Sequence, residues 1–215
     1  MPSPIGHALA GLTVGLLATA ARSRTRPSRG SHAGASGLPA IVTRRNLSPA
    51  RDVLTTVPLA CAAAGVAPDL DLLFGTHSTY THSVGAVALV YVAVRLLRPQ
   101  AHRVSALASA LAWGTHLLLD WLGTDTTDPV GIMALWPFTT THYQSTAFVF
   151  DAISRLYWIP ELFIWGNLKA AAKEVLILGP FVLLAATLAR RSRGSGPEAR
   201  RLESAGLEGR RDLPA

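Results

Sequence analysis

Residues 68–83 read PDLDLLFGTHSTYTHS, with two aspartates, two histidines and several hydroxyl side chains in sixteen positions. On either side lie oily runs, VLTTVPLACAAAGVA at 53–67 and VGAVALVYVAVRLL at 84–97. Acids and imidazoles placed between two apolar helices need either water or a partner.

The surrounding chain makes bulk water a poor default. Of 215 residues only 15% are charged, and the mean hydropathy is +0.31. A soluble domain usually carries about 25% charged residues, so the shortfall points to a membrane protein. Five apolar segments stand out, at about 4–21, 53–68, 81–97, 104–123 and 174–189. Each is near the lower limit of about 17–25 residues for crossing a bilayer. A soluble bundle of buried helices is the competing reading. The expected fold is all-α, a multi-pass helical bundle of about five transmembrane helices. Residues 1–189 form its domain, and 190–215 form a disordered basic tail.

The basic residues orient this bundle. Seven arginines lie in 22–51, three in 95–103 and seven beyond 189, which is 17 of the chain's 20 Lys and Arg. If all five segments span, these regions share one side, and the positive-inside rule makes it cytoplasmic. The N-terminus is then out and the C-terminus in. Loop 22–52 is cytoplasmic, while loop 69–82 and the long loop 124–173 are outside. Positive charge used for topology needs no nucleic acid to explain it, and no nucleic-acid motif is present. The first segment lacks a basic leading region, so it reads as an uncleaved helix. Segment 145–168 carries Asp151, Arg155, Glu161 and Pro160 among its aromatics, and reads as an interfacial cover on the outer leaflet. Cys61, the single cysteine, excludes an intrachain disulfide and a cysteine-based metal cluster.

With this topology His7, Asp69, Asp71, His77, His82, His116 and Asp120 fall on one face of the membrane. His116 and Asp120 are i,i+4 neighbours on a helix and project from one side. Asp69 and Asp71, if locally extended, also share a side. A His/Asp set without cysteine suits zinc, or else manganese or iron, as one ion with carboxylates orienting the histidines or as two ions. Blander roles stand beside this one: His7 as an interfacial residue, Asp69 and Asp71 as helix caps, His77 as an exposed loop residue. Asp120 resists such a reading, because a charge at membrane depth costs about 2.5–3.5 kcal/mol and needs a partner. His32, His102 and His142 read as bystanders. Thr79, Thr81 and Ser83 read as supporting donors or helix caps, and Asp125 and Asp128 as turn residues. Glu174 is either an extra ligand or a boundary charge.

SPIGHALAG at 3–11, PDLD at 68–71, HSTYTHS at 77–83 and HLLLDWLGTDTTDPVGIMALWPF at 116–138 together resemble the YdjM-like family. These are bacterial inner-membrane proteins described as metal-dependent hydrolases, some of them LexA-regulated. The resemblance implies an inner-membrane location and metal ligation by His7, Asp69, Asp71, His77, His82, His116 and Asp120. In that family the second motif carries an arginine where this chain has Ser78, which removes a positive charge able to contact an anionic substrate.

The expected activity is hydrolysis of an ester or phosphoester, lipid-linked or otherwise small, with Asp71 as general base. A metal-stabilised scaffold is the alternative, and an ion transporter a more distant one. The topology is directly checkable. A reporter active only outside the cytoplasm should be active when fused after residue 75 or 140, and silent after residue 35 or 215.

Overall fold

The computed structural model describes residues 1–25, 49–74, 77–99 and 103–194. Five α-helices account for most of them: α1 Pro4–Thr25, α2 Pro49–Val66, α3 Val84–Leu97, α4 Arg103–Leu122 and α5 Asn167–Gly194. Among the described residues there is no strand, only two isolated bridges, Gly123 with Phe150 and Ile132 with Tyr143. The all-helical expectation holds. α1 lies at the centre against α2, α4 and α5, and α3 packs on the outer side of α4.

The interior explains how such helices can sit close together. Its buried apolar residues are mostly alanines, among them Ala10, Ala18, Ala106, Ala108, Ala112, Ala170 and Ala185, while Leu59, Leu89, Leu176, Leu183 and Leu184 are exposed. This reverses the pattern of a soluble core. Where the surroundings are hydrocarbon, burying a leucine gains little, and association rests on close backbone approach through small residues. Gly11 and Gly15 on α1 show the approach directly. A Cβ at Gly11 would lie 2.3 Å from the Cys61 carbonyl oxygen, and one at Gly15 2.5 Å from Pro58 Cα. Gly65 on α2 meets the His7 carbonyl in the same way, at 2.5 Å.

Among the described residues, three helical stretches are long and apolar enough to cross a bilayer: Pro4–Arg24, Thr56–Phe74 and Glu161–Ser192. α3 is apolar but has 14 residues, about 21 Å of helix against about 30 Å of hydrocarbon. The 20 residues of α4 include Arg103, His116 and Asp120, and it falls outside this set.

Several boundaries move from their sequence expectation. α2 does not end in extended chain at Pro68. Ala67–Phe74 continues it as a 3-10 helix, so Asp69 and Asp71 do not share a side. The interfacial cover is irregular from 151 to 156, but Glu161–Gly166 forms a π-helical turn that leads without a break into α5. Pro160 therefore opens a helix, a position where its missing N–H costs nothing. α1 and α5 reach into the regions expected to be loop and tail. The rest of that loop, 26–48, and of the tail, 195–215, lie outside the described residues, as do His32 and His102.

The α1–α2 seam is the packing feature most exposed to substitution. Gly11→Val should destabilise the protein by about 1–3 kcal/mol through forced separation of the helices. Thermal unfolding in detergent would show this as a lowered midpoint, with Gly114→Val as a control, since a Cβ there meets only the Val87 methyls at 3.8 and 4.0 Å.

Candidate metal centre

Four elements deliver polar side chains to one end of the bundle. The first turn of α1 brings His7, the 3-10 continuation of α2 brings Asp69 and Asp71, and the last turns of α4 bring His116 and Asp120. The fourth is the connection before α3, with His77 and a short 3-10 turn, Tyr80–His82. Ser83 ends that turn by capping α3, its hydroxyl accepting the Ala86 N–H at 3.1 Å.

Asp69, His82, His116 and Asp120 each offer an atom within 4.8 Å of the others'. The Nε2 atoms of His82 and His116 are 3.0 Å apart. Asp120 Oδ2 is 3.0 Å from His116 Nε2 and 3.3 Å from His82 Nε2. Asp69 Oδ1 is 3.4 Å from His116 Nε2 and 3.7 Å from that of His82. His116, His82 and Asp120 are buried, and Asp69 is the more open member.

A second trio, Asp71, His77 and His82, shares His82 with the first group. Here the 3-10 helix matters. With about three residues per turn, positions two apart point about 120° from each other, so Asp69 and Asp71 address opposite edges of the His82 ring. Asp71 Oδ2 lies 3.1 Å from His82 Nδ1 and accepts the Thr81 hydroxyl at 2.6 Å. Its Oδ1 lies 2.9 Å from His77 Nδ1. The Thr81 oxygen is also 2.9 Å from His82 Nδ1.

These partners dictate where the imidazole protons sit. His116 Nδ1–H donates to the Gly65 carbonyl at 2.7 Å, leaving a lone pair on Nε2. His82 Nδ1–H faces Asp71 and Thr81, again leaving Nε2 bare. Two lone pairs and two carboxylates then face one small volume with no donor among them. Such a group requires a cation, whether a proton or a metal ion.

His82 in the metal-free chain shows that requirement. Burial disfavours its charged form, but contacts with Asp120, Asp69 and Asp71 prevail and hold its pKa up at about 11.

His7 stands beside this group. Its ring stacks on His116 at 3.7 Å, and its Nε2 is 3.4 Å from Asp120 Oδ1. Both His7 nitrogens and both Asp120 oxygens are buried without an aligned hydrogen bond. Although distances to Asp120 fall in the ion-pair range, the angles do not make hydrogen bonds, and unsatisfied buried polar atoms are costly. A divalent ion would satisfy them, so the residues present fit a metal of the His/Asp-binding class.

Glu174 takes neither of the roles expected for it. It is fully buried at the start of α1, where it accepts the Ser3 N–H at 2.6 Å, the Ser3 hydroxyl, and the Gly6 N–H at 3.0 Å. It caps α1 from another helix and fixes the turn that carries His7. A Cβ at Gly6 would sit 2.8 Å from its carboxylate. No local signal could reveal this, since Ser3 and Glu174 are 171 positions apart.

Other contacts were equally hidden: the Gly65 carbonyl on His116, Trp113 Nε1–H donating to the Thr81 carbonyl at 2.8 Å, and the Met1 sulfur 2.8 Å from His77 Nε2. Ser78 is buried and adopts φ +64°, the left-handed region uncommon for non-glycine residues. Asp125 caps a turn through the Thr127 and Gly131 N–H groups, as expected of it.

The sign of the pH effect follows from His82. Protonation at a raised pKa stabilises the metal-free fold below the ordinary histidine range, and this contribution is lost as the pH climbs towards 11. A metal must displace that proton, so affinity should fall as the solution is acidified, by about tenfold per pH unit for each proton released. Calorimetric zinc titrations in buffers of different ionisation enthalpy would count the protons.

Neither a curated protein nor a solved structure shows a significant match to the chain. The family described as YdjM inner membrane protein does match, over residues 1–194. That span covers all five helices and every member of the His/Asp cluster, and the chain belongs to the YdjM inner membrane protein family.

Proposed function

We propose that this inner-membrane protein is a metal-dependent hydrolase that cleaves an ester or phosphoester, lipid-linked, at the outer face of the bilayer. The observation carrying this reading is the convergence of bare imidazole nitrogens and carboxylates on one small volume, with the Asp120 oxygens buried and unsatisfied. In this reading Asp69, His82, His116 and Asp120 hold one ion, zinc before manganese or iron, and His7 supplies a further contact from its place against Asp120. The bound ion would lower the pKa of a coordinated water towards neutrality and polarise the bond under attack.

Asp71 touches three side chains, so its role shifts from general base to positioning. It fixes His82 through Nδ1 and orients His77. Carboxylates behind metal-binding histidines act in this way. His77, on the more open side with Asp69, has Nδ1 on Asp71 and Nε2 against the Met1 sulfur at 2.8 Å. A lipid-linked substrate is favoured by the apolar rim beside Asp69, where Leu70, Leu72, Leu73 and Phe74 are exposed. The positive-inside distribution supports reading this end of the bundle as lying outside the cytoplasm.

A second reading, a metal-stabilised scaffold, draws on the burial of His82, His116 and Asp120. A closed structural site would bind metal without turning over any ester.

Metal analysis of the purified protein separates these readings when combined with an ester screen. Wild type should bind about one ion per chain, and His116→Ala and Asp120→Ala should lose stoichiometric binding. Asp71→Asn should weaken binding by about 10–100-fold, as expected of a group that orients a ligand. Unchanged affinity with lost turnover would instead return Asp71 to the base role. Stoichiometric metal with no turnover on any carboxylic or phosphoric ester would favour the scaffold.

A further inference from the structure

Three of the cluster's four histidines hold their rings through polar contacts of their own. His116 is bound to the Gly65 carbonyl, His82 to Asp71 and Thr81, and His77 to Asp71. His7 is the exception, because both its ring nitrogens are buried without a hydrogen-bond partner. Its place, 3.7 Å from the His116 ring and 3.4 Å from Asp120 Oδ1, must therefore come from packing and from its backbone.

His7 is the fourth residue of α1, which opens at Pro4. The first N–H groups of a helix have no partner within it. A common solution is reciprocal: a serine before the helix accepts the N–H of the third helical residue, and a glutamate at that third position reaches back to the serine N–H. Here the serine is Ser3, and the third residue is Gly6, which has no side chain to reach back. Glu174 of α5 takes that part. Its Oε1 accepts the Ser3 N–H at 2.6 Å, and its Oε2 accepts the Ser3 hydroxyl and, at 3.0 Å, the Gly6 N–H. The Ser3 hydroxyl oxygen is left 3.5 Å from the Gly6 nitrogen. Gly6 admits this arrangement, since a Cβ there would lie 2.8 Å from Glu174 Oε2.

Ser3 carries the constraint on to the cluster, because its carbonyl accepts the His7 N–H at 3.3 Å. One residue thus links the Glu174 carboxylate to the His7 backbone. Glu174 is fully buried, where a carboxylate is costly without donors, and the donors it has come from Ser3 and Gly6. Among the described residues, α5 supplies none of the ligands of the cluster.

We propose that Glu174 is a positioning residue for the metal centre: through Ser3 and Gly6 it sets the place of His7, so that a helix without a ligand governs how tightly an ion is held. The effect on an ion rests on the metal-binding reading above, whereas the placement of His7 does not.

Two measurements on the full chain in detergent test this. The first is histidine modification by diethyl pyrocarbonate in metal-free protein, read residue by residue. His7 and His116 should both be protected in the wild type. Glu174→Gln keeps the size of the side chain but leaves one acceptor oxygen for three donors. It should raise the His7 rate by about tenfold, as loss of a buried acceptor eases local opening, while His116, held by Gly65, stays protected. Ser3→Ala removes one donor and should act in the same direction by less, which gives the same reading should Glu174→Gln fail to fold. The second is zinc affinity. Glu174→Gln should weaken it by about tenfold, but no further in a His7→Ala background, where there is no ring left to place.

His7 protected in both Glu174→Gln and Ser3→Ala would overturn the proposal. So would equal exposure of His7 and His116, which marks a general loosening, or a Glu174→Gln loss of affinity that adds in full to that of His7→Ala. Should the wild type bind no zinc, the metal-binding reading falls, and the modification rates alone decide whether Glu174 places His7.

Discussion

A carboxylate buried at a helix end without an aligned donor is the constraint around which this molecule is arranged. Asp120 is enclosed by imidazoles from α1, α4 and the turn before α3. A charge in such a place is tolerated only with a compensating cation. Every element that reaches this end of the bundle contributes either to that compensation or to holding its contributors still. His116 is locked through the Gly65 carbonyl, His82 through Asp71 and Thr81, and His7 by the turn that Glu174 caps.

That arrangement depends on how closely the helices approach. Alanine and glycine line the seams, so backbones meet where leucine would hold them apart. Gly65, whose carbonyl accepts from His116, also lets α2 sit against the His7 carbonyl. Small residues at the seam and polar residues at the end are one design: the first makes the second geometrically attainable. Leucines turned outward then leave the bilayer as the medium for the rest of the surface.

The two aspartates of PDLD show how a change in local helix type divides labour. An extended chain would have sent both to one ion. The 3-10 helix turns them about 120° apart, so one faces the Nε2 side of His82 and the other its Nδ1 side. A single histidine ring is thereby gripped on one edge and free on the other, as a metal-binding imidazole needs. The sparse hydrogen-bonding at Asp120 and the dense hydrogen-bonding at Asp71 are two sides of this division.

Much of this was legible beforehand because its signals are local or additive. Apolar runs, the i,i+4 spacing of His116 and Asp120, and the Ser83 cap need only a few neighbouring residues. The gathering of His7, Asp69, Asp71, His77, His82, His116 and Asp120 was legible because each lies near an apolar-segment boundary, and alternating spans bring such boundaries to one face. Hidden from it were the cap that Glu174 places on α1, the grip of Gly65 on His116, the 3-10 turn that parts Asp69 from Asp71, and the helix that Pro160 opens. Sequence by itself determined an apolar helical chain with a His/Asp set at one end. Only tertiary structure decided which atom of each ring faces which carboxylate, because that depends on contacts between residues far apart in the chain, whose registry no short-range pattern encodes.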